Sequence, residues 1–263
     1  MSDLISFDSA MDLASKVPMS RIDRSTFLRN ELQKYCTKEQ IEIAIKFNPA
    51  KAGIDIDIIR PIAKVCIAEE TKMATATSFV SGLPGGFAIP VAVSADGVQL
   101  FVRMLRIIQK LAYLYGWPDF YQNGRKLDSE TKNLMVAFLG VMFGVRQAVN
   151  LIAKFAESLA AQVGKKIASR ALTKTMWYPI LKSVLSAVGV KLTKDVFGRG
   201  VSKVVPLLGG VISGALTYTT FKPMSEKLRK HLEELPLCSI CYYENLNKKQ
   251  SVDDFDDENY EIE

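Results

Sequence analysis

The chain contains few of the side chains that most often act in catalysis. It has one histidine, His231, and four cysteines among 263 residues. It also lacks the G-x-S-x-G and H-E-x-x-H motifs of hydrolases and the G-x-x-x-x-G-K-[ST] and G-x-G-x-x-G loops that bind phosphates. These absences favour a non-enzymatic protein, for which we expect no catalytic residues and no cofactor.

Two further absences bear on location and fold. Cysteines this sparse do not make the disulfide framework of a secreted domain, and Asp3, Asp8 and Asp12 interrupt any amino-terminal signal sequence. We therefore expect a cytoplasmic protein. Because no region shows the alternating pattern of strands, we predict an all-α fold, a compact multi-helix domain whose apolar helices are broken by glycine and proline.

Charge is distributed unevenly along the chain. The formal net charge is +6, yet residues 251–263 contain seven acidic residues and no basic one. The other residues carry 34 basic and 21 acidic side chains. A body this basic favours anionic partners, and an anionic membrane surface is the partner we expect. The acidic segment lacks the apolar residues that folding requires and is predicted to be a disordered tail that could shield the basic body.

Two long segments contain no charged residue. Residues 73–95 and 204–221 run for 23 and 18 residues without one, and the first is long enough in principle to cross a bilayer. Glycine and proline inside both segments interrupt a straight helix, so we expect short apolar pieces. The glycines either let helices approach closely in or on a membrane, or pack them inside a soluble core. They are Gly82, Gly85, Gly86, Gly209, Gly210 and Gly214.

A narrow polar stripe marks the clearest helix, which is predicted over residues 96–117. Asp96, Arg103, Arg106 and Lys110 recur at spacings of seven, three and four, which places them on one face. Charged groups on an otherwise apolar helix are candidates for a ligand or headgroup site, with Asp96 paired to Arg103 or to another basic residue. The alternative is that the stripe is the solvated side of an amphipathic helix.

Three further helices are predicted downstream. One opens near Asp128 and continues to about Ala171, a second covers residues 176–192 with a kink at Pro179, and the last is a separate basic helix over residues 227–235. Arg146 is isolated in an apolar part of the first helix, which predicts a buried ion pair with an acid elsewhere in the fold. The candidate partners are Glu69, Glu70 and Asp96.

Neither metal nor nucleic acid is an expected partner. Cys238 and Cys241 have zinc-knuckle spacing and follow His231, but a second ligand pair is missing unless the fold supplies Cys36 and Cys66. Basic residues are spread along the chain, and no nucleic-acid-binding module is visible. Aromatic residues near the end of the predicted helix are better explained as an interfacial belt or a core edge. They are Tyr113, Tyr115, Trp117, Phe120 and Tyr121.

Four sequence blocks resemble the EcsC protein family. GLPGGFAIP at residues 82–90, AD at 95–96 and KLAYLYGWP at 110–118 look like its signature stretch, and GVSKVVPLLGG at 200–210 resembles its carboxy-terminal block. The resemblance covers about residues 55–235. It implies a bacterial protein from a family named after a protein encoded beside an ABC transporter. No catalytic set is established for that family, so none carries over to this chain.

These features together predict three regions and one favoured function. We expect a helical amino-terminal extension at residues 1–50, an EcsC-like helical domain at 51–236 and a disordered acidic tail at 237–263. The favoured function is that of a non-enzymatic protein associated with the inner membrane, either peripheral to it or partly inserted. The alternatives are a soluble helical interaction or scaffold protein, and an enzyme that uses Asp96 and Arg103.

Overall fold

The structure, a computed structural model, describes residues 16–81, 95–121, 129–162, 206–246 and 248. Every regular element within these ranges is helical, which confirms the all-α prediction. The α-helices are α1 (Arg24–Leu32), α2 (Lys38–Lys46), α3 (Ile56–Ser81), α4 (Ala95–Leu114), α5 (Ser129–Met142), α6 (Arg146–Ala160), α7 (Pro206–Glu233) and α8 (240–246), with 3-10 turns at Pro18–Ser20 and Pro236–Cys238.

The two short helices near the amino terminus begin at side chains that cap them. Asp23 Oδ1 accepts a hydrogen bond of 2.8 Å from the backbone N–H of Thr26 at the start of α1. At the start of α2, Thr37 and Gln40 form a capping box, in which each side chain accepts a bond from the other's backbone N–H. These bonds satisfy donors that a helix leaves unpaired at its amino end.

Hydrogen bonds from Arg24 link α1 to α2 and to the segment that follows α4. Its buried guanidinium donates to the backbone carbonyls of Ala44, Ile45 and Phe47 at the end of α2, and to that of Trp117 just beyond α4. A cation is favourable at the end of α2 because the last carbonyls of a helix carry partial negative charge. Residues 24–47 of the segment predicted as an amino-terminal extension therefore pack against the helical domain and share its core.

Three long helices determine how the molecule is arranged. Arg60 near the start of α3 forms an ion pair of 2.5 Å with Glu233 at the end of α7, and α3 packs along both α7 and α4. Gly116, just after α4, lies against the backbone of Leu237, just after α7. Helices α4 and α7 therefore run in one direction and α3 runs in the opposite one. As a result, the end of α3 lies with the beginnings of α4 and α7.

The helix predicted to continue to about Ala171 is interrupted between α5 and α6. Gly144 has a φ of +70°, and the N–H groups of Val145 and Gly144 bond to the carbonyls of Gly140 and Val141 at 2.8 and 2.9 Å. This pair of bonds is a Schellman motif, which ends a helix at a glycine in the left-handed region. The prediction of one continuous helix is wrong here because it overlooked this glycine as a terminator.

The aromatic residues near the end of α4 lie in the centre of the core. Tyr113, Tyr115 and Trp117 are fully buried. The Trp117 ring packs edge-on against Phe138 of α5 at 4.8 Å, and Phe120 stacks on Tyr113 at 5.4 Å. Their large buried area and preferred ring geometries stabilise the junction of α4 and α5. These residues are core residues, so they give no support to an interfacial belt.

The chain continues as helix past the predicted start of the disordered tail. The turn at Pro236–Cys238 packs against α6, and residues 240–246 form α8. The buried hydroxyl of Tyr243 accepts a hydrogen bond of 2.7 Å from Asn48 Nδ2. The prediction of disorder from residue 237 onward is therefore wrong for residues 237–246, whereas the acidic residues 251–263 lie outside the described residues.

Gly116 provides a test of the packing between α4 and the segment after α7. It has a φ of +93°, and a Cβ there would lie 2.6 Å from the backbone oxygen of Leu237. Gly53 has a φ of +70°, but its Cβ would meet no heavy atom within 4 Å. We expect Gly53→Ala to lower the free energy of unfolding by about 1 to 2 kcal/mol from backbone strain alone. For Gly116→Ala we expect roughly 1 to 3 kcal/mol more, because the Leu237 backbone must move. Urea unfolding of both variants measures the difference, and equal losses would contradict the contact.

Candidate functional site

The polar stripe of α4 faces Glu70 on α3. Glu70 Oε1 lies 3.0 Å from both Arg106 Nε and Lys110 Nζ, and its Oε2 lies 3.3 Å from Arg103 Nη1. Glu70, Arg103 and Lys110 are buried, and Arg106 is half-buried. The alternative of a solvated face is therefore wrong for these three basic residues, which surround one carboxylate between two helices.

The charges in this cluster keep Glu70 ionised. Burial alone would raise the pKa of a carboxyl, but the charges and hydrogen bonds of Lys110 and Arg106 outweigh it and hold the pKa of Glu70 below its ordinary value. Removing one partner from a buried ion pair is costly, because the remaining charges stay desolvated without compensation. Lys110 Nζ also lies 3.8 Å from the exposed carboxylate of Glu69.

The same face of α4 holds the segment that precedes α1. Arg106 Nη1 donates to the Met19 carbonyl at 2.5 Å. The buried Gln109 donates to the Ser20 carbonyl at 2.7 Å and accepts from the Ile22 N–H at 2.9 Å. The stripe thus joins α3, α4 and the amino-terminal segment, which is a structural role.

Of the two residues in the enzyme hypothesis, the structure describes the side chain of only Arg103. Asp96 lies in the first turn of α4, but its side chain is outside the described residues. Arg103 is only 7% exposed and is bound to Glu70, and its Nε has no hydrogen-bond partner within the described part of the chain. A pairing of Asp96 with Arg103 stays a prediction.

Glu70 is the member of the cluster whose role the sequence analysis missed. It was considered only as one of three partners for Arg146, which is in fact exposed at the first residue of α6, so that prediction is wrong. A sequence signal for Glu70 does exist. It follows the buried Ala63 and Ile67 at helical spacing, so a carboxylate occurs on the apolar face of α3 and requires cations from a neighbouring helix.

Helix α7 joins two segments that were predicted to be separate. It contains residues 206–221, which carry no charge, and most of the basic stretch predicted as its own helix over 227–235. The interruption expected within 206–221 is not present. Glycine is a poor helix former, but packing of a helix on its neighbours can outweigh that cost. Gly209, Gly210 and Gly214 lie in this first part of α7, whereas Gly82, Gly85 and Gly86 lie outside the described residues.

The helix directions bring the uncharged segments to one end of the molecule. Charge stops at Lys72 on α3, and on α7 it begins at Lys222. Because Arg60 lies opposite Glu233 and both helices rise about 1.5 Å per residue, Lys72 and Lys222 lie at nearly the same level of the antiparallel pair. Beyond this level neither helix carries a charged residue.

We name this part of the molecule the uncharged end. Its boundary exposes two large apolar side chains, since Met73 is 47% and Tyr218 is 48% exposed. Among its described residues Asp96 is the only charged one. Of the helices that the structure describes, none is both long and apolar enough to cross a bilayer. The uncharged end consists of residues 73–81 of α3, 95–102 of α4 and 206–221 of α7.

The cysteines and the histidine do not come together. In the described ranges no group of three or more His, Cys, Asp or Glu side chains is placed to hold a metal ion. Cys238 Sγ instead contacts the backbone carbonyls of Leu232, Glu233 and Leu235, and burial raises the pKa of this thiol to about 11. A thiol with that pKa is protonated at neutral pH and is a poor nucleophile. His231 is half-buried, and burial lowers its pKa.

A cleft of about 620 Å³ opens at the end opposite the uncharged end. Its charged lining includes Arg60 and Glu233, which pair with each other. Arg60 also binds Asp57, and Glu233 also binds Arg229. These groups are engaged in ion pairs with one another, and the residues that line the cleft include no histidine. Glu234, a further carboxylate that is exposed, also lines the cleft beside Cys238 and Ser239.

Glu70 provides a test of whether the stripe is structural. We expect Glu70→Gln to lower the free energy of unfolding by about 3 to 5 kcal/mol, because three cations would lose their buried partner. Glu69→Gln is the matched control: Glu69 is exposed, and its loss should cost about 1 kcal/mol or less.

The pH dependence of the Glu70 effect follows from its lowered pKa. The carboxylate stabilises the fold fully above the ordinary pKa of about 4.3, and this contribution is lost as pH falls through the lower folded-state pKa. Urea unfolding of both proteins should therefore give a constant difference near neutral pH that shrinks only in acid. A difference that disappears between pH 6 and pH 8 would contradict the assignment.

Comparison with known proteins gives no relative. No protein-family model matches the chain, and neither does a curated protein or a solved structure. The resemblance of residues 55–235 to the EcsC family stays a prediction. The most specific block, KLAYLYGWP at 110–118, has residue types that the packing explains: Lys110 binds Glu70, Gly116 adopts a positive φ, and the rings of the block are buried.

Proposed function

We propose that this chain is a non-enzymatic, EcsC-like helical protein that binds the anionic surface of the inner membrane from the cytoplasm through its uncharged end. The observation that carries the proposal is the convergence of three helix segments beyond the level of Lys72 and Lys222, of which those on α3 and α7 carry no charge and that on α4 carries only Asp96. A helix end without charge on any side has no face that favours water strongly. Lysines at its boundary are suited to the phosphates of lipid headgroups.

The length of the uncharged end suits partial insertion. At 1.5 Å per residue, residues 206–221 of α7 extend for about 24 Å and residues 73–81 of α3 for about 14 Å. The hydrocarbon core of a bilayer is about 30 Å thick, so one leaflet contributes about half of this. The α3 segment therefore matches the depth of one leaflet, and the longer α7 segment would reach past the middle of the bilayer, while the charged body stays at the surface.

The charge of the body supports the same arrangement. Outside residues 251–263 the chain has 34 basic and 21 acidic residues. Each basic residue close to an anionic surface contributes about 1 kcal/mol to binding. Binding of the proposed kind should therefore require anionic lipid and weaken as the salt concentration rises.

A soluble interaction protein is the second candidate, and the exposed Met73 and Tyr218 favour it equally, since a protein partner could cover both. The enzyme hypothesis has less support. Arg103, one of its two residues, is buried and held by Glu70.

Acidic substitutions at the boundary of the uncharged end test the proposal. We expect Met73→Glu and Tyr218→Glu each to weaken binding to phosphatidylglycerol-containing vesicles about tenfold, because a carboxylate among acyl chains costs on the order of 1 to 3 kcal/mol. Sedimentation with the vesicles measures the bound fraction. Vesicles of phosphatidylcholine alone should bind the unmodified protein weakly.

Val65→Glu is the matched control for Met73→Glu. Val65 is 54% exposed on the same helix, two turns farther from the uncharged end. Val65→Glu adds the same charge as Met73→Glu. Because it lies outside the uncharged end, it should change vesicle binding much less. Equal effects of the two substitutions would reject insertion of this end. Absence of vesicle binding at low salt would reject membrane association and leave the interaction protein as the better candidate.

A further inference from the structure

The cleft opposite the uncharged end lies where three helices meet. Ile56 and Arg60 line it from the start of α3, Glu233 from the end of α7, and Tyr242 from the first turn of α8. The turn at Pro236–Cys238, which connects α7 to α8, contributes to the same lining. Its volume of about 620 Å³ is in the range of small-molecule sites. The cleft therefore has room for a small organic ligand.

Carboxylates outnumber cations in the ion-pair network beside the cleft. The guanidinium groups of Arg60 and Arg229 share three carboxylates, those of Asp57, Glu226 and Glu233. Two cations and three anions leave this network with one net negative charge. Arg60 lines the cleft, but two carboxylates already bind it, so it does not make the cleft positive.

Glu234 adds a second net negative charge. It directly follows α7, is exposed and lines the cleft. Its charge acts on His231, which is neutral at pH 7 because burial lowers the pKa of this histidine. The last carbonyls of α7 carry partial negative charge at the same place. The network and Glu234 together therefore favour a cationic occupant.

The exposed charges just outside the cleft are of both signs. Lys64 on α3 and Lys230 on α7 each lie one helical turn from a lining residue, but neither lines the cleft. The exposed acids Asp55 and Glu244 lie one and two residues from lining residues and do not line it either. These four charges offset one another, so the excess of carboxylates in the cleft remains.

Apolar side chains give the cleft a surface that suits an organic cation better than an inorganic one. Ile56, Leu235 and Pro236 contribute aliphatic groups, and Tyr242 contributes an aromatic ring. Aliphatic groups favour burial of an alkyl chain, and the face of an aromatic ring attracts an ammonium group. Among the described residues no three His, Cys, Asp or Glu side chains are placed to hold a metal ion.

We propose that this cleft binds a small aliphatic diammonium compound. Two ammonium groups match the two net negative charges of the ion-pair network and Glu234. Glu234 and the ring of Tyr242 contact the ammonium groups, and the methylene chain between them packs on the aliphatic part of the lining. This proposal does not rest on the membrane function, because the cleft lies at the other end of the molecule and its binding is measured without lipid.

Isothermal titration calorimetry of the full chain tests the proposal with 1,5-diaminopentane as the probe. Pentane-1,5-diol has the same chain without charge, and Mg²⁺ has the same charge without a chain. We expect the diamine to bind about tenfold more tightly than either control, because only the diamine uses both the carboxylates and the apolar lining. Binding of the diamine no tighter than that of Mg²⁺ or of the diol would overturn the proposal.

Substitutions of carboxylates locate the bound diamine, because the acidic residues 251–263 also attract cations. We expect Glu234→Gln to weaken diamine binding about fivefold, since an exposed ion pair is lost. Glu244→Gln removes the same charge from an exposed residue of α8 outside the lining and should leave the affinity unchanged. Both side chains are exposed, so both variants should unfold at the urea concentration of the unmodified protein. Equal effects of the two substitutions would place the diamine elsewhere and reject the cleft.

Substitutions of Tyr242 test the contact with the aromatic ring. Tyr242→Leu keeps an apolar side chain but removes the ring, and we expect it to weaken diamine binding about threefold. Tyr242→Phe keeps the ring and should bind the diamine as the unmodified protein does. If both variants lose affinity equally, the ring does not contact the ammonium group and the proposed binding mode is wrong.

Discussion

A single buried carboxylate determines how the long helices meet. Glu70 on α3 cannot remain ionised in the core without cations, and Arg103, Arg106 and Lys110 on α4 cannot remain buried without an anion. Because the carboxylate on α3 and the cations on α4 can pair only when the two helices lie in one register, the cluster specifies the position of α4 along α3. The Arg106 bond to the Met19 carbonyl extends this constraint to the amino-terminal segment.

That register, together with the Arg60–Glu233 ion pair, gives the molecule two unlike ends. One end gathers the carbonyls bound by Arg24, the aromatic core around Trp117 and the ion pairs beside the cleft. The other gathers helix segments in which Asp96 is the only charged residue described, with lysines at its margin. An asymmetric distribution of charge along a helical body favours an oriented contact with an interface, which is the physical basis of the proposed membrane function.

Prediction from sequence succeeded where local pattern decides and failed where distant partners decide. The spacing of Arg103, Arg106 and Lys110 placed them correctly on one face of one helix. Their orientation toward the core was not determined, because the compensating carboxylate is more than 30 residues earlier in the chain. Arg146 was assigned to a buried pair because its neighbours are apolar, yet it begins a helix after the left-handed Gly144 and faces water.

The sequence by itself determined the all-helical class, the uneven charge and the uncharged segments, because helical periodicity and composition are properties of neighbouring residues. Only the tertiary structure decided that 73–81, 95–102 and 206–221 share one end, that Glu70 is the partner of the stripe, and that the rings around Trp117 are core. Each of these depends on the relative direction of helices separated by long stretches of chain. That direction is set by packing and by the pairing of buried charges, which no local pattern encodes.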